Sequence, residues 1–280
     1  MSVWERLSNF NVKILWLLLV LALLAPMIKP MGLPLPMKAE TKAGYDFAEA
    51  LPTGSWVLMS INVASMAESE IWPSAVAQYR HFMRKGFKII LVNTVPEGTM
   101  YAQRLWKTYS AEGGYEYGRD VVQMPFMAGD ESTIAAMGAD FRGLYDTDQY
   151  GTPLDNIEIF EGFDGIKNIS LLTEYANSIQ PQYYLRQLNA KYNVPMVVSF
   201  VAMGAPGYMT YFSSGQLKGL LAGVAGGAEY ELLAGAPGEA ASQMDALSLG
   251  TSVFLAAIIL SNIAWWSAKR TRATAKGGTR

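Results

Sequence analysis

Between Asp245 and Lys269 the chain has no charged residue. This run, ALSLGTSVFLAAIILSNIAWWSA, covers the 23 residues from Ala246 to Ala268. As an α-helix it rises about 35 Å, enough to cross a hydrocarbon layer roughly 30 Å thick. Trp265 and Trp266 close it at the level of an aromatic belt, and Lys269, Arg270, Arg272, Lys276 and Arg280 follow. Basic residues flanking a span stay in the cytoplasm, so the tail, residues 269–280, is expected there.

A second apolar run, ILWLLLVLALLAPMI, spans the 15 residues Ile14–Ile28 between Lys13 and Lys29. Fifteen helical residues reach about 22 Å, short of a full crossing. Lys29 can snorkel and apolar sequence resumes at Met31, so an uncleaved anchor over residues 14–36 is the expectation. A cleaved signal peptide is the alternative, without a clear small-residue cleavage site before Pro26. Two spans place both termini, including residues 1–13, in the cytoplasm and the chain between them outside it.

Charge supports that division. Residues 39–245 hold 13 Lys/Arg against 23 Asp/Glu, a net −10, and the two ends together are net +8. An acidic middle is a poor partner for nucleic acid, which needs a basic patch. Basic ends suit an anionic membrane surface. With no cysteine, disulfides and thiolate chemistry are excluded. The single histidine, His81, excludes a multi-histidine zinc site. It sits mid-helix in YRHFMRKG and is expected on the surface or in the last helical turn. No metal and no cofactor is expected.

Residues 37–50 read as a linker, with Pro30, Pro34 and Pro36 keeping the chain before them extended. Residues 51–240 then alternate strand-like and helix-like patterns. SWVLMSINV, FKIILVNTV, DVVQMPFM, NISLLTEYA and VPMVVSFVAM read as five strands, each followed by a helix. That alternation predicts a doubly wound α/β domain, Rossmann-like or flavodoxin-like, on a mostly parallel five-stranded sheet. Anchors at each end would flank it. Strand order is not legible.

Ligands of such folds bind outside the carboxyl ends of the strands. Here those ends hold Asn62 and Glu68, then Asn93, Thr94 and Glu97, then Asp130, and, at the end of the fourth strand, Glu174 and Asn177. These residues cap helices and satisfy loops, or they line a polar crevice. No G-x-G-x-x-G follows the first strand and no G-x-x-x-x-G-K-[ST] exists. DTDQYGTPLDNIEIFEGFDG, Asp146–Gly165, starts like a calcium loop, but Ile157 stands where a carboxylate is needed, so a solvated acidic loop is expected.

Two small-residue patterns concern packing. GQLKGLLAGVAGGAEYELLAG, Gly215–Gly235, is too short between Lys218 and Glu229 to span a bilayer and reads as the last helix of the domain. On it Gly215, Gly219, Gly223, Gly226 and Gly227 would form a face bare of side chains, packed on the sheet or on a second subunit. Ser248, Ser252 and Ala256 form a stripe on the second span, with Asn262 its most polar residue, and suit contact with another helix. The function expected is a membrane-anchored, non-catalytic subunit that assembles with itself or with other membrane proteins. The alternatives are a solute-binding or sensory module, using Asn62, Asn93, Thr94 and Glu97, and a tethered hydrolase with Glu68 and Glu97 as a carboxylate pair.

Overall fold

The structure, a computed structural model, describes residues 12–128 and 130–277. Most of the expected N-terminal tail 1–13 and the last residues of the basic tail lie outside them. The chain divides into two compact units, 1–33 with 242–280, and 34–241.

The first unit is helical. Helix α1 (Val12–Ile28) ends at Lys29, and an extended stretch follows it. Helix α2 (Ala39–Ala50) opens the second unit and replaces the expected linker 37–50. AETKAGYDFAEA is rich in helix formers, and its buried Thr41, Gly44 and Ala48 recur on one face.

The second unit is an α/β domain. Its strands are β1 (Trp56–Asn62), β2 (Lys88–Val92), β3 (Val121–Gln123), β4 (Ile169–Ala176), β5 (Met196–Phe200) and β6 (Leu217–Ala222). They lie in the order β3-β2-β1-β4-β5-β6, and all five pairings are parallel. This is the Rossmann order rather than the flavodoxin one. The sheet has six strands, not five.

The additional strand corrects the reading of the glycine-rich stretch. Leu217–Ala222 is β6, and the helix begins only at Gly223. LKGLLA has no β-branched residue, so local preference does not announce a strand. Its backbone pairs with β5, and its Gly219 lets another backbone approach. Gly215 lies in the preceding loop with φ +79°, outside both elements.

Helix α3 (Glu68–Lys85) follows β1 and ends on Gly86, whose φ of +70° gives the left-handed cap. Helix α4 (Gly98–Tyr109) follows β2, and α5 (Glu131–Ala139) follows β3. The short α6 (Phe141–Leu144) precedes a long loop. After β4 come α7 (Gln180–Tyr184), a π-helical turn (Leu185–Asn189) and α8 (Ala190–Tyr192). Helix α9 (Met209–Ser213) follows β5, and α10 (Gly223–Leu233) follows β6.

Both faces of the sheet are covered. One core holds Val57, Met59 and Ile61 against Trp72, Tyr79, Leu105 and Tyr230 of α3, α4 and α10. The other holds Leu58, Val92, Leu172 and Val198 against Ile134, Phe141 and Leu188. Burial on both sides explains the uninterrupted apolar strand sequences.

Helix α11 (Glu239–Gly277) closes the chain. Among the described residues, Glu239–Ser267 is the one helical stretch long and apolar enough to cross a membrane; Val12–Ile28 is apolar but shorter. Within the helical unit, the Asp245 carboxylate accepts the backbone N–H groups of Met31, Gly32 and Leu33 at 2.7, 2.8 and 2.8 Å. Ser242 Oγ donates to Pro26 O at 2.9 Å. A Cβ placed on Gly250 would meet Leu23 Cδ2 at 2.9 Å, so α1 and α11 pack closely there. Of the Ser248, Ser252 and Ala256 stripe, Ser248 is half-buried. Ser252 and Ala256 are exposed, and Ser252 Oγ and Asn262 Nδ2 each bond a carbonyl of their own helix.

Candidate functional site

In the order β3-β2-β1-β4-β5-β6 the chain turns from one direction of winding to the other between β1 and β4. That switch point is where open α/β sheets form a crevice at their carboxyl edge. Its walls here are the last residues of β1 and β4. Ser60 pairs with Glu174 and Asn62 with Ala176. Side chains alternate along a strand, so Ser60, Asn62 and Glu174 share one face.

Asn62 organises the site. Its Nδ2 donates to Glu174 Oε1 and to Ser60 Oγ, each at 2.9 Å. Its Oδ1 accepts from the Thr94 backbone N–H at 2.7 Å and from Thr94 Oγ1 at 3.1 Å. One amide thus ties the ends of β1, β2 and β4 together. Next to it, Asn177 Oδ1 accepts the Ala64 N–H at 3.1 Å.

Glu174 is fully buried, and its Oε2 has no hydrogen-bond partner. Burial pushes its pKa up to about 8, against the lowering effect of the Asn62 hydrogen bond. A carboxyl in that state is largely neutral at pH 7. Tyr184 of α7 feels this carboxyl; it too is fully buried, and its hydroxyl has no hydrogen bond. Burial, with Glu174 adding to it, raises Tyr184 well above an ordinary phenol. Tyr208 feels the same carboxyl, and burial lifts it to about 12. Asn62, Glu174, Tyr184 and Tyr208 are thus all buried. The π-helical turn comes directly after Tyr184, a distortion frequent at functional positions.

No family model, curated protein or solved structure matches this chain.

Of the residues expected at the strand ends, the structure joins Asn62 and Thr94 and separates the others. Asn93 is turned into its own loop, where its Nδ2 donates to Val95 O and Thr99 Oγ1 at 3.0 Å each. Glu97 opens α4 and is exposed. Glu68 takes Arg104 at 2.6 Å and the Tyr101 hydroxyl at 2.9 Å, an ion pair at the start of α3. Asp130 caps α5 by accepting the Ser132 N–H at 2.8 Å. Glu174 was visible as one carboxylate within the apolar ISLLTEYA. Its alignment with Ser60 and Asn62 depends on β1 and β4 being neighbours, a fact of topology.

The glycines pack inside the domain. A Cβ on Gly44 would meet Gly219 Cα at 3.2 Å, so α2 and β6 approach backbone to backbone. Gly223 opens α10 at φ +56°. Gly226 lies against the β6 backbone at Leu221, and Gly227 against Ser74 of α3.

His81 is a further correction. It is 1% exposed, not at the surface. Its Nδ1 pairs with the Tyr230 hydroxyl and its Nε2 with Glu49 Oε2, each at 2.7 Å, and Tyr45 stacks on the ring. Burial lowers its pKa, against the raising effect of Glu49. It lines a cavity of about 660 Å³ together with Arg80, Arg84, Glu112 and Glu231. Those charged groups are already engaged: Arg80 with Glu112, Arg84 with Ala234 O, and Glu231 with three backbone N–H groups. The acidic loop is solvated as expected, with Asp146, Asp155, Glu158, Glu161 and Asp164 exposed, and one carboxylate is turned inward. Asp148 is buried and accepts from Tyr150 N, Thr152 N and the Tyr117 hydroxyl.

Proposed function

We propose that the chain is a membrane-anchored α/β module that works by assembly, with itself or with other membrane proteins, rather than by catalysis. The observation supporting this is the surface of α11. Leu247, Phe254, Leu255, Ile258, Ile259, Trp265 and Trp266 are all exposed on a helix of spanning length. Such a surface is costly in water and matches hydrocarbon. Helix α1 is a second anchor, held by the Asp245 carboxylate and by Gly250. The basic tail puts both termini in the cytoplasm and the acidic domain outside it. Complete burial of Glu174 and Tyr184 favours a structural use of the switch point. Cross-linking in native membranes, after alkaline carbonate extraction, tests the proposal. A carbonate-resistant species larger than one chain is expected. A chain released by carbonate, or recovered only as monomer, refutes it.

A solute-binding role has one observation in its favour. Glu174 Oε2 and the Tyr184 hydroxyl are both buried and unpartnered at the switch point. Unpaired polar atoms in an interior are costly and accept a small polar guest readily. Displacement of Tyr184 would open the crevice to it. Tyr184→Phe, which keeps the volume, should weaken such binding without loss of fold.

A further inference from the structure

Seven large hydrophobic side chains of the α/β domain are exposed, and all but Met37 and Tyr150 follow a strand in a regular way. Met66 follows β1 and is 88% exposed; Met203 follows β5 and is 94% exposed. Met100 stands in the first turn after β2, Phe126 just after β3 and Ile179 just after β4, at 56, 36 and 45%. Every strand but β6, which runs directly into α10, presents one such residue at its carboxyl end. Those five strands are consecutive in the sheet, so the row is about 19 Å wide at the usual strand spacing.

The domain's two connections leave toward the same edge. Helix α2 lies on β6, with Thr41 bonded to Leu220 O and Gly44 against Gly219, so it runs opposite to the strand. Its start, at Lys38, is therefore its end nearer the carboxyl edge. At the other connection, Gly238, Ala240 and Ala241 bond to Glu231, and Ala240 lies beside Gly227. The chain thus turns back along α10 toward Gly223, which is at the carboxyl edge. Both connections lead into apolar helices.

We propose that this row is a lipid-docking edge, on which Met66, Met100, Phe126, Ile179 and Met203 enter the interfacial layer of a bilayer. The proposal rests on the chain being membrane-anchored. Unbranched methionines adapt to a disordered partner, and single apolar side chains suit an interface rather than a pocket. Charge selects the lipid. Glu97 and Asp130 stand exposed on the same edge, so zwitterionic headgroups are accepted and anionic ones are opposed.

The absence of native cysteine makes the test direct. The full chain is reconstituted in phosphatidylcholine vesicles with an environment-sensitive fluorophore at Met66→Cys, Met203→Cys or, as a control beyond α7, Lys191→Cys. Blue-shifted emission that is lost with shallow spin-labelled lipid is expected at 66 and 203, and water-like emission at 191. Replacing half of the lipid with phosphatidylglycerol should reduce the blue shift. In a Met66→Asp, Met203→Asp double variant, a probe at Ile179→Cys should return to water-like emission with the melting temperature unchanged. Water-like emission at 66 and 203 in a carbonate-resistant chain overturns lipid docking and leaves anchoring intact. A blue shift that spin-labelled lipid does not quench means that protein covers the edge, and also overturns it. Release of the chain by carbonate removes the premise, and the proposal with it.

Discussion

Asn62 holds one oxygen of the Glu174 carboxyl at 2.9 Å and leaves the other without a partner in a fully buried place. The pair joins the two central strands at the switch point of the sheet. Because Glu174 titrates near 8 in the fold and near 4.5 when unfolded, its neutral form is favoured by folding. Its contribution is complete below the unfolded value and is lost as pH rises through the folded one. Stability should therefore fall between about pH 4.5 and 8, by a few kcal/mol on the usual conversion. Glu174→Gln, isosteric and neutral, should flatten that fall. Urea midpoints of both proteins across this range provide the measurement.

His81 has the opposite sign. Its pKa is lowered by burial, so folding favours the neutral ring. Stability should decline as pH drops below the ordinary histidine value of about 6.5. His81→Gln should remove this part of the acid sensitivity while leaving the Glu174 slope, which crosses the same range with the opposite sign. Thermal melts from pH 5 to 7 separate the two.

Gly219 tolerates no side chain. Its Cβ would strike the backbone of Gly44 inside van der Waals contact. Gly219→Val should cost about 1–3 kcal/mol or more, the range for overpacking. Gly207, around which space is open, should accept alanine with little change. Comparing the melting temperatures of the two variants checks this.

Asp245 accepts three backbone N–H groups at once. Asp245→Ala leaves these partly buried donors without their acceptor, each lost bond to a charged group being worth up to about 1.5–3 kcal/mol. The segment from Lys29 to Pro36 should become a preferred site of proteolysis in membranes. Equal cleavage in both proteins would show that Asp245 does not hold it.

The order of these elements was legible where sequence pattern and burial agree. FKIILVNTV and VPMVVSFVAM hold long apolar runs because both their faces are covered, and both fold as strands. Arg84, Lys85 and Gly86 mark a helix end that depends on local geometry alone. LKGLLA failed because its place is fixed by an edge pairing to β5 and by contact with Gly44, neither of which leaves a local signature. His81 failed for a related reason. Its partners Glu49 and Tyr230 stand 32 and 149 residues away, so nothing near it signals burial. At the site, Asn62 and Thr94 were named from their strand ends. Glu174 gained its place from strand order, which no stretch of sequence states.

The packing of α2 on β6 also has a temporal meaning. Residues 39–50 leave the ribosome well before any strand exists, yet the surface they cover is made by residues 217–222. Central β1 pairs early with β2 on one side but waits for β4, more than a hundred residues later, on the other. Contacts so distant in sequence form slowly. During synthesis the first helix of the α/β domain can meet α3 through Tyr45 and Glu49, but its Thr41 and Gly44 face stays uncovered until the last strand arrives.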